Sequence, residues 1–155
     1  MRIVDFRSDW VTPPTSKMRR AMAETEVGDD STVHRLEAMA AERLGQEAAL
    51  FVASGTMGNL VSVLAHAQRG DEIILGDKAH IFLAEAGGVS ALGGVSFHTV
   101  RNDIRGLLNL EEVESAIRPH GVDFPKTALI TIENTNNACG GTPLTPDYTK
   151  AIADI

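Results

Sequence analysis

The chain has 155 residues, 43% hydrophobic and 23% charged, which suffices for one sizeable core and lies far from a disordered composition. A net charge of −7 and a pI near 5.1 disfavour nucleic acid or an anionic membrane surface as partner. The lone cysteine, Cys139, excludes an intrachain disulfide and fits a reducing compartment. No apolar stretch reaches the length of a transmembrane helix, and charges interrupt residues 1–7 where a signal peptide needs an apolar run. A cytoplasmic protein with no membrane contact is expected.

Short apolar runs alternate with helical stretches, the pattern of an α/β layer fold with a largely parallel sheet. Pro13-Pro14 precede a helix starting near Thr15-Ser16 and reaching about Glu26. A second helix starts at Ser31 or Thr32, either able to cap it, carries Val33, Leu36, Ala40 and Leu44 on one face, and ends at Gly45. Residues 48–53 (AALFVA) read as a buried strand leading into Ser54-Gly55-Thr56. A third helix follows with Leu60, Leu64 and Ala67, ending near Arg69-Gly70.

Residues 72–75 form the next expected strand, closed by Gly76-Asp77. Residues 80–92 read as mainly helical up to Gly93-Gly94, and 95–100 as a strand. Asn109 with Glu112 looks like a capping box for a helix over 110–118. Residues 127–132 (TALITI) are a β-branched strand. Thr145-Pro146 opens a last helix with proline at its first position. That helix carries no stop signal before Ile155, and about ten residues of isolated helix are marginal. The expectation is therefore a partial sequence, with a docked short helix as the plainer alternative.

Three segments could carry chemistry. In residues 53–59 (ASGTMGN), small residues at a helix N-terminus would let backbone N–H groups approach an anion, with Ser54 and Thr56 adding hydroxyls. Neither a Walker A loop nor a dinucleotide fingerprint is present, and a glycine-rich turn without ligand has the same composition. Asp77-Lys78-Ala79-His80 follows a strand, where the ligand crevice of a parallel sheet lies. His80 could stack on a planar cofactor or exchange protons near neutral pH, and Glu85 could supply a nearby acid or base. A hydrogen-bonded surface histidine is the plain alternative, and His34, His66, His98 and His120 take that reading. Glu133-Asn134-Thr135-Asn136-Asn137 also follows a strand and suits either polar recognition or an Asx-rich turn.

Taken in order, DFRSDWVTPPT (5–15), EVGDD (26–30), EAALFVASGTMGNL (47–60), RGDEIILGDKAHIFLAEAGG (69–88) and IENTNNACGGTPL (132–144) resemble the L-threonine aldolase family of fold-type I pyridoxal-phosphate (PLP) enzymes. The resemblance implies a three-layer, mostly parallel α/β large domain, incomplete at its C-terminus. Residues 1–30 would be an N-terminal arm and first helix, and 31–155 the first part of the PLP-binding domain. It implies that Ser54, Gly55, Thr56 and Met57 form the phosphate turn, that His80 stacks on the ring and acts with Glu85 in catalysis, and that Ser8 and Asn136 serve the substrate. The implied reaction is aldol cleavage of a β-hydroxy-α-amino acid such as L-threonine or L-allo-threonine, in a homo-oligomer (dimer or tetramer), with no metal.

The chain departs from the family's pattern in four places. The loop after Asp30 is about five residues short, which would alter a pocket wall or subunit contact. Asn136 replaces a histidine, and an amide cannot shuttle protons. Trp10 replaces a threonine. The segments carrying the family's aspartate for the pyridine nitrogen and its cofactor lysine are missing, and Lys17, Lys78, Lys126 and Lys150 match neither. This chain alone is thus expected to be weak or inactive. The rival expectations are another fold-type I β-eliminating lyase, and a non-catalytic remnant serving as a binding or interaction module.

Overall fold

The computed structural model describes residues 11–24, 28 and 30–155. Helices α1 (Ser16–Glu24), α2 (Ser31–Leu44) and α3 (Gly55–His66) precede strand β1 (Glu72–Gly76). The short helix α4 (His80–Leu83) and a π-type turn (Val89–Gly93) lead to β2 (Ser96–Val100). Then come α5 (Leu110–Ala116), β3 (Thr127–Ile130) and α6 (Pro146–Ala153).

The sheet is parallel, in the order β2-β1-β3. Central β1 is buried at every residue, as a strand with helices on both faces must be. Its side chains divide by the two-residue period. Ile73 and Leu75 face Val63 of α3 and Ala67 just beyond it, with Ile81, Val89 and Val95. Ile74 faces the other way, into Val100 of β2, Leu108 of the following loop, Val113 and Ala116 of α5 and Ile152 of α6. Three layers result, and Ile73, Ile74 and Leu75 are each 0% exposed, every one contributing about 1.5–3 kcal/mol of burial.

Glu72 opens β1 and is buried, yet it is fully partnered. Its carboxylate accepts from Arg118 Nε at 3.0 Å and Arg118 Nη2 at 3.2 Å, and lies 3.2 Å from His98 Nδ1. The Arg118 hydrogen bonds foremost, with His98 assisting, hold the Glu72 carboxyl below the usual carboxylate range against the opposing effect of burial. The result is an ionic clamp at the N-terminal edge of the sheet, remote from the strand ends that carry the candidate site.

Caps explain the helix starts. Asn109 Oδ1 accepts from Glu112 N–H at 3.1 Å, and Thr145 Oγ1 from Tyr148 N–H at 3.2 Å. At α2 the N-cap is Asp30, without a side-chain bond, rather than Ser31 or Thr32. Gly45 ends α2 in the left-handed conformation that glycine adopts without strain. On the face expected to be apolar, Leu36 and Leu44 remain 50% and 71% exposed.

Two expected elements take another form. Residues 48–53 are not a strand: no described strand pairs with them, and Leu50 and Phe51 are exposed. Their apolar run satisfies the strand pattern but lacks a neighbouring ladder, and Phe51 N–H goes instead to Glu37 Oε1 at 2.8 Å. The expected helix over 80–92 is broken. Ala84 leaves the helical region, and Ala86 and Gly87 are left-handed at φ 53° and 67°. Smaller differences are that β3 stops at Ile130 and α5 at Ala116. Among the described residues, no helix is long and apolar enough to cross a membrane.

Candidate active site

The parallel sheet places the loops after β1 and β3 side by side at the strands' C-terminal ends, with the start of α3 linked to them through side chains. Ser54, extended at φ −158° and ψ 159°, caps α3, its Oγ accepting from Met57 N–H at 3.1 Å. Helix geometry leaves the first N–H groups, those of Gly55 and Thr56, without intrahelical acceptors. A Cβ built at Gly55 would meet nothing within 4 Å, so a ligand can come close to this backbone. The exposed turn, with two N–H groups lacking helical acceptors and the Thr56 hydroxyl beside them, offers the donors that an anionic group such as a phosphate needs. Within this group, Ser54 Oγ and Met57 N–H are already committed to each other.

His80 is the first residue of α4 and is held at two atoms. Its backbone N–H donates to Glu133 Oε2 at 2.7 Å, and its Nδ1 lies 2.8 Å from Glu85 Oε1. The His80 side chain is 47% exposed and that of Glu85 3%, so the imidazole faces outward on a buried carboxylate. In a continuous α-helix, residues five apart point about 140° away from each other. The break after Leu83 is what turns Glu85 back onto His80. Asn59 of α3 completes the group: its Nδ2 donates to the same Glu85 Oε1 at 2.6 Å. The helix that offers the Gly55 and Thr56 N–H groups is therefore tied through Glu85 to the histidine.

The turn before His80 is pinned from both neighbouring strands. Asn102, buried just after β2, accepts from Lys78 N–H at 2.9 Å, donates from its own N–H to Asp77 Oδ1 at 2.9 Å and from Nδ2 to Gly106 C=O at 2.9 Å. Its side chain lies across Gly76, where a Cβ would collide with it. From the β3 side, Asn136 Nδ2 donates to Lys78 C=O at 3.1 Å, and its Oδ1 accepts from Cys139 N–H at 3.1 Å. Asn136 is 1% exposed, so its amide meets protein atoms and would bear on a substrate through the backbone it holds.

Of the expected residues, the structure brings together His80 and Glu85, and links them to the turn of Ser54, Gly55, Thr56 and Met57. Ser8 lies outside the described residues. Sequence reasoning singled out neither Asn59 nor Glu133 within the segments 53–59 and 133–137, and it did not mark Asn102 at all. The available signal for Asn59 was an amide opening the mostly apolar stretch NLVSVLA inside α3. A cleft of about 730 Å³ borders Lys78, Asn102, Asp103 and Leu108 on the far side of the Asn102 brace and contains none of the expected residues. Among the lysines, Lys150 Nζ is engaged by Asp154 at 2.6 Å on the surface, and Lys17 and Lys126 are exposed.

The parallel three-layer architecture and this strand-end site accord with the sequence profile of the beta-eliminating lyases, which matches residues 5–155; the chain belongs to that family. Its curated relatives narrow the comparison. The low-specificity L-threonine aldolase 1 of Arabidopsis thaliana is 51% identical over 163 aligned positions, covering 100% of this chain and 46% of that protein. The low specificity L-threonine aldolase of Escherichia coli K12 is 41% identical over 153 positions, covering 96% of this chain and 45% of that protein. The chain thus spans under half the length of these relatives. Among solved structures, a protein of Listeria monocytogenes provisionally assigned as an L-allo-threonine aldolase superposes with a TM-score of 0.70 at 18% identity, over 88% of this chain and 38% of that one. That likeness establishes the shared fold.

Proposed function

We propose that this chain is the N-terminal part of a PLP-dependent aldolase that cleaves a β-hydroxy-α-amino acid, L-threonine or L-allo-threonine, into glycine and acetaldehyde. The observation that carries the reading is the Asn59–Glu85–His80 chain of hydrogen bonds, which couples an anion-accepting helix start to an outward-facing imidazole. The identity to low-specificity threonine aldolases supports the substrate class.

PLP, when bound, supplies the electron sink that lets a bond at the amino acid's Cα break. The chain's own residues do the rest. Gly55 and Thr56 N–H groups, with the Thr56 hydroxyl, hold the phosphate at the positive end of α3. Ser54 and Met57 shape that turn. His80 would stack on the cofactor ring, and its Nε2 would take the proton of the substrate's β-hydroxyl, directly or through an ordered water. Glu85 orients the imidazole through Nδ1 and reaches the reacting atoms only through it. Asn136 keeps the post-β3 loop against Lys78, and Ser8 serves the substrate carboxylate. The anchoring lysine belongs to the part of the enzyme beyond these 155 residues. Exposed Met18, Met22, Leu36 and Met39 on α1 and α2 suit burial between subunits of a cytoplasmic homo-oligomer.

The test uses the complete enzyme loaded with PLP. Incubation with L-threonine or L-allo-threonine should yield glycine and acetaldehyde in equal amounts. A keto acid and ammonia from β-substituted amino acids, with no aldol cleavage, would instead assign a β-eliminating lyase. The 155-residue chain mixed with PLP and reduced with borohydride should show no single lysine carrying the label. One lysine labelled stoichiometrically would mean that this chain contains the anchor.

A further inference from the structure

We propose that Asn59 is a positioning residue that fixes the proton of His80 on Nδ1 and so presents an unprotonated Nε2 to the substrate. This rests on the function proposed above and assigns a task to a residue of the phosphate-binding helix itself. Two nitrogens converge on one oxygen: Asn59 Nδ2 at 2.6 Å and His80 Nδ1 at 2.8 Å from Glu85 Oε1. A carboxylate oxygen only accepts. Were Nδ1 unprotonated, its lone pair would face that oxygen at 2.8 Å without a proton between them. With Glu85 ionised the donor is Nδ1–H, and in a neutral imidazole the other nitrogen is then the acceptor.

Glu85 has a side chain that is 3% exposed, so it depends on protein donors to stay in place. His80 provides one, from a ring that is 47% exposed. Asn59, projecting from the rigid second turn of α3, provides the other. It fixes the direction of Oε1, and with it the rotamer and tautomer of His80. Because Gly55 and Thr56 open the same helix, the phosphate contacts and the histidine's orientation share one rigid body.

The experiment compares wild type, Asn59→Ala and Asn59→Gln in the complete enzyme. Selective 15N labelling of histidine reports the tautomer of His80 in the cofactor-free protein, and steady-state kinetics with L-threonine report kcat and KM. Wild type should show the Nδ1–H form. Asn59→Ala should populate the Nε2–H form and lower kcat about tenfold or more, a share of what general acid–base catalysis contributes, with KM changed little. Asn59→Gln, which keeps the amide donor, should recover part of both. Asn59 is exposed and alanine is the better helix former, so the variant should keep its fold, with a melting temperature lowered only by the loss of one hydrogen bond to Glu85. An unchanged tautomer in Asn59→Ala overturns the proposal, whatever happens to kcat. If wild type cleaves no β-hydroxy amino acid but the tautomer still depends on Asn59, the function reading fails and the positioning role stands.

Discussion

Tyr148 and Leu108 exchange two hydrogen bonds: the Tyr148 hydroxyl accepts from Leu108 N–H at 2.7 Å and donates to Leu108 C=O at 3.0 Å. One side chain of α6 thereby satisfies both backbone groups of a buried residue preceding α5, a pairing that neither helix could supply. Tyr148→Phe removes the hydroxyl and leaves both groups without it. The expected cost is about 1–3 kcal/mol, read as a lower urea midpoint with an unchanged slope.

Burial, more than the neighbouring Asp103 charge, pushes the Tyr148 hydroxyl above its ordinary value of 10.0, with the Leu108 bond opposing. A group whose folded pKa is raised stabilises below its unfolded pKa and loses that contribution as pH climbs through the folded one. Stability should fall above about pH 10, and the Tyr148→Phe variant should lose less over that window. Urea titrations of both proteins at stepped alkaline pH check this.

The clamp on Glu72 predicts the opposite edge of the pH range. Arg118 first, then His98, depresses the carboxyl below 4.5. A depressed group stabilises above its unfolded pKa and loses that contribution as pH falls through the folded value. Acid unfolding should therefore begin below about pH 4.5. In Arg118→Met the acid limb should flatten, since Glu72 then has less of its shift to lose. Thermal melts between neutral pH and acid, followed by circular dichroism, would show whether the slope depends on this pair.

Removing the cap at the candidate phosphate turn gives a third outcome. Ser54→Ala deletes the acceptor for Met57 N–H and should destabilise by about 1 kcal/mol. It should also weaken PLP retention in the complete enzyme, because the turn bearing Gly55 and Thr56 loses its fixed shape. Equilibrium dialysis against PLP separates the two effects: unchanged retention with lowered stability would confine Ser54 to capping.

Gly76→Ala tests the brace behind His80. The added methyl would collide with the Asn102 side chain, which is buried and hydrogen-bonded and so has little room to yield. Overpacking of this kind costs about 1–3 kcal/mol, and relief by moving Asn102 would release Lys78 N–H and shift His80. Aldol activity should fall further than the stability loss explains. Asn102→Ser in the Gly76→Ala background, with a smaller side chain, should restore stability more than activity.

The sequence reading anticipated elements whose causes are local. Asn109 and Thr145 announce their helices by side-chain chemistry alone, and Gly45 announces an end because glycine enters the left-handed region freely, as its φ of 64° bears out. The β1 run was legible because a strand buried on both faces is continuously apolar. Residues 48–53 carry a similar pattern, but pairing depends on a neighbour, which no local pattern encodes. The break after α4 was half legible in Gly87-Gly88. Its use, turning Glu85 onto His80, was not, since a five-residue spacing meets only when the helix stops. The candidate site was proposed from its unusual residues, His80 and the Ser54–Met57 turn. Asn59, Asn102 and Glu133 escaped because their partners lie 24 to 53 positions away, and long-range hydrogen bonds leave no periodic trace.

The turn from Gly76 to His80 is held by asparagines contributed from the loops beyond both flanking strands, Asn102 on one side and Asn136 on the other. A saturation scan of the complete enzyme would therefore show intolerance spread over distant stretches of chain. The two asparagines should tolerate replacement about as poorly as His80 itself, and their nearest size match, aspartate, should fail at both, since each uses its Nδ2 as a donor. Variation that retunes such an enzyme would then enter most easily around the exposed face of His80, whose imidazole is held, among the described residues, through Glu85.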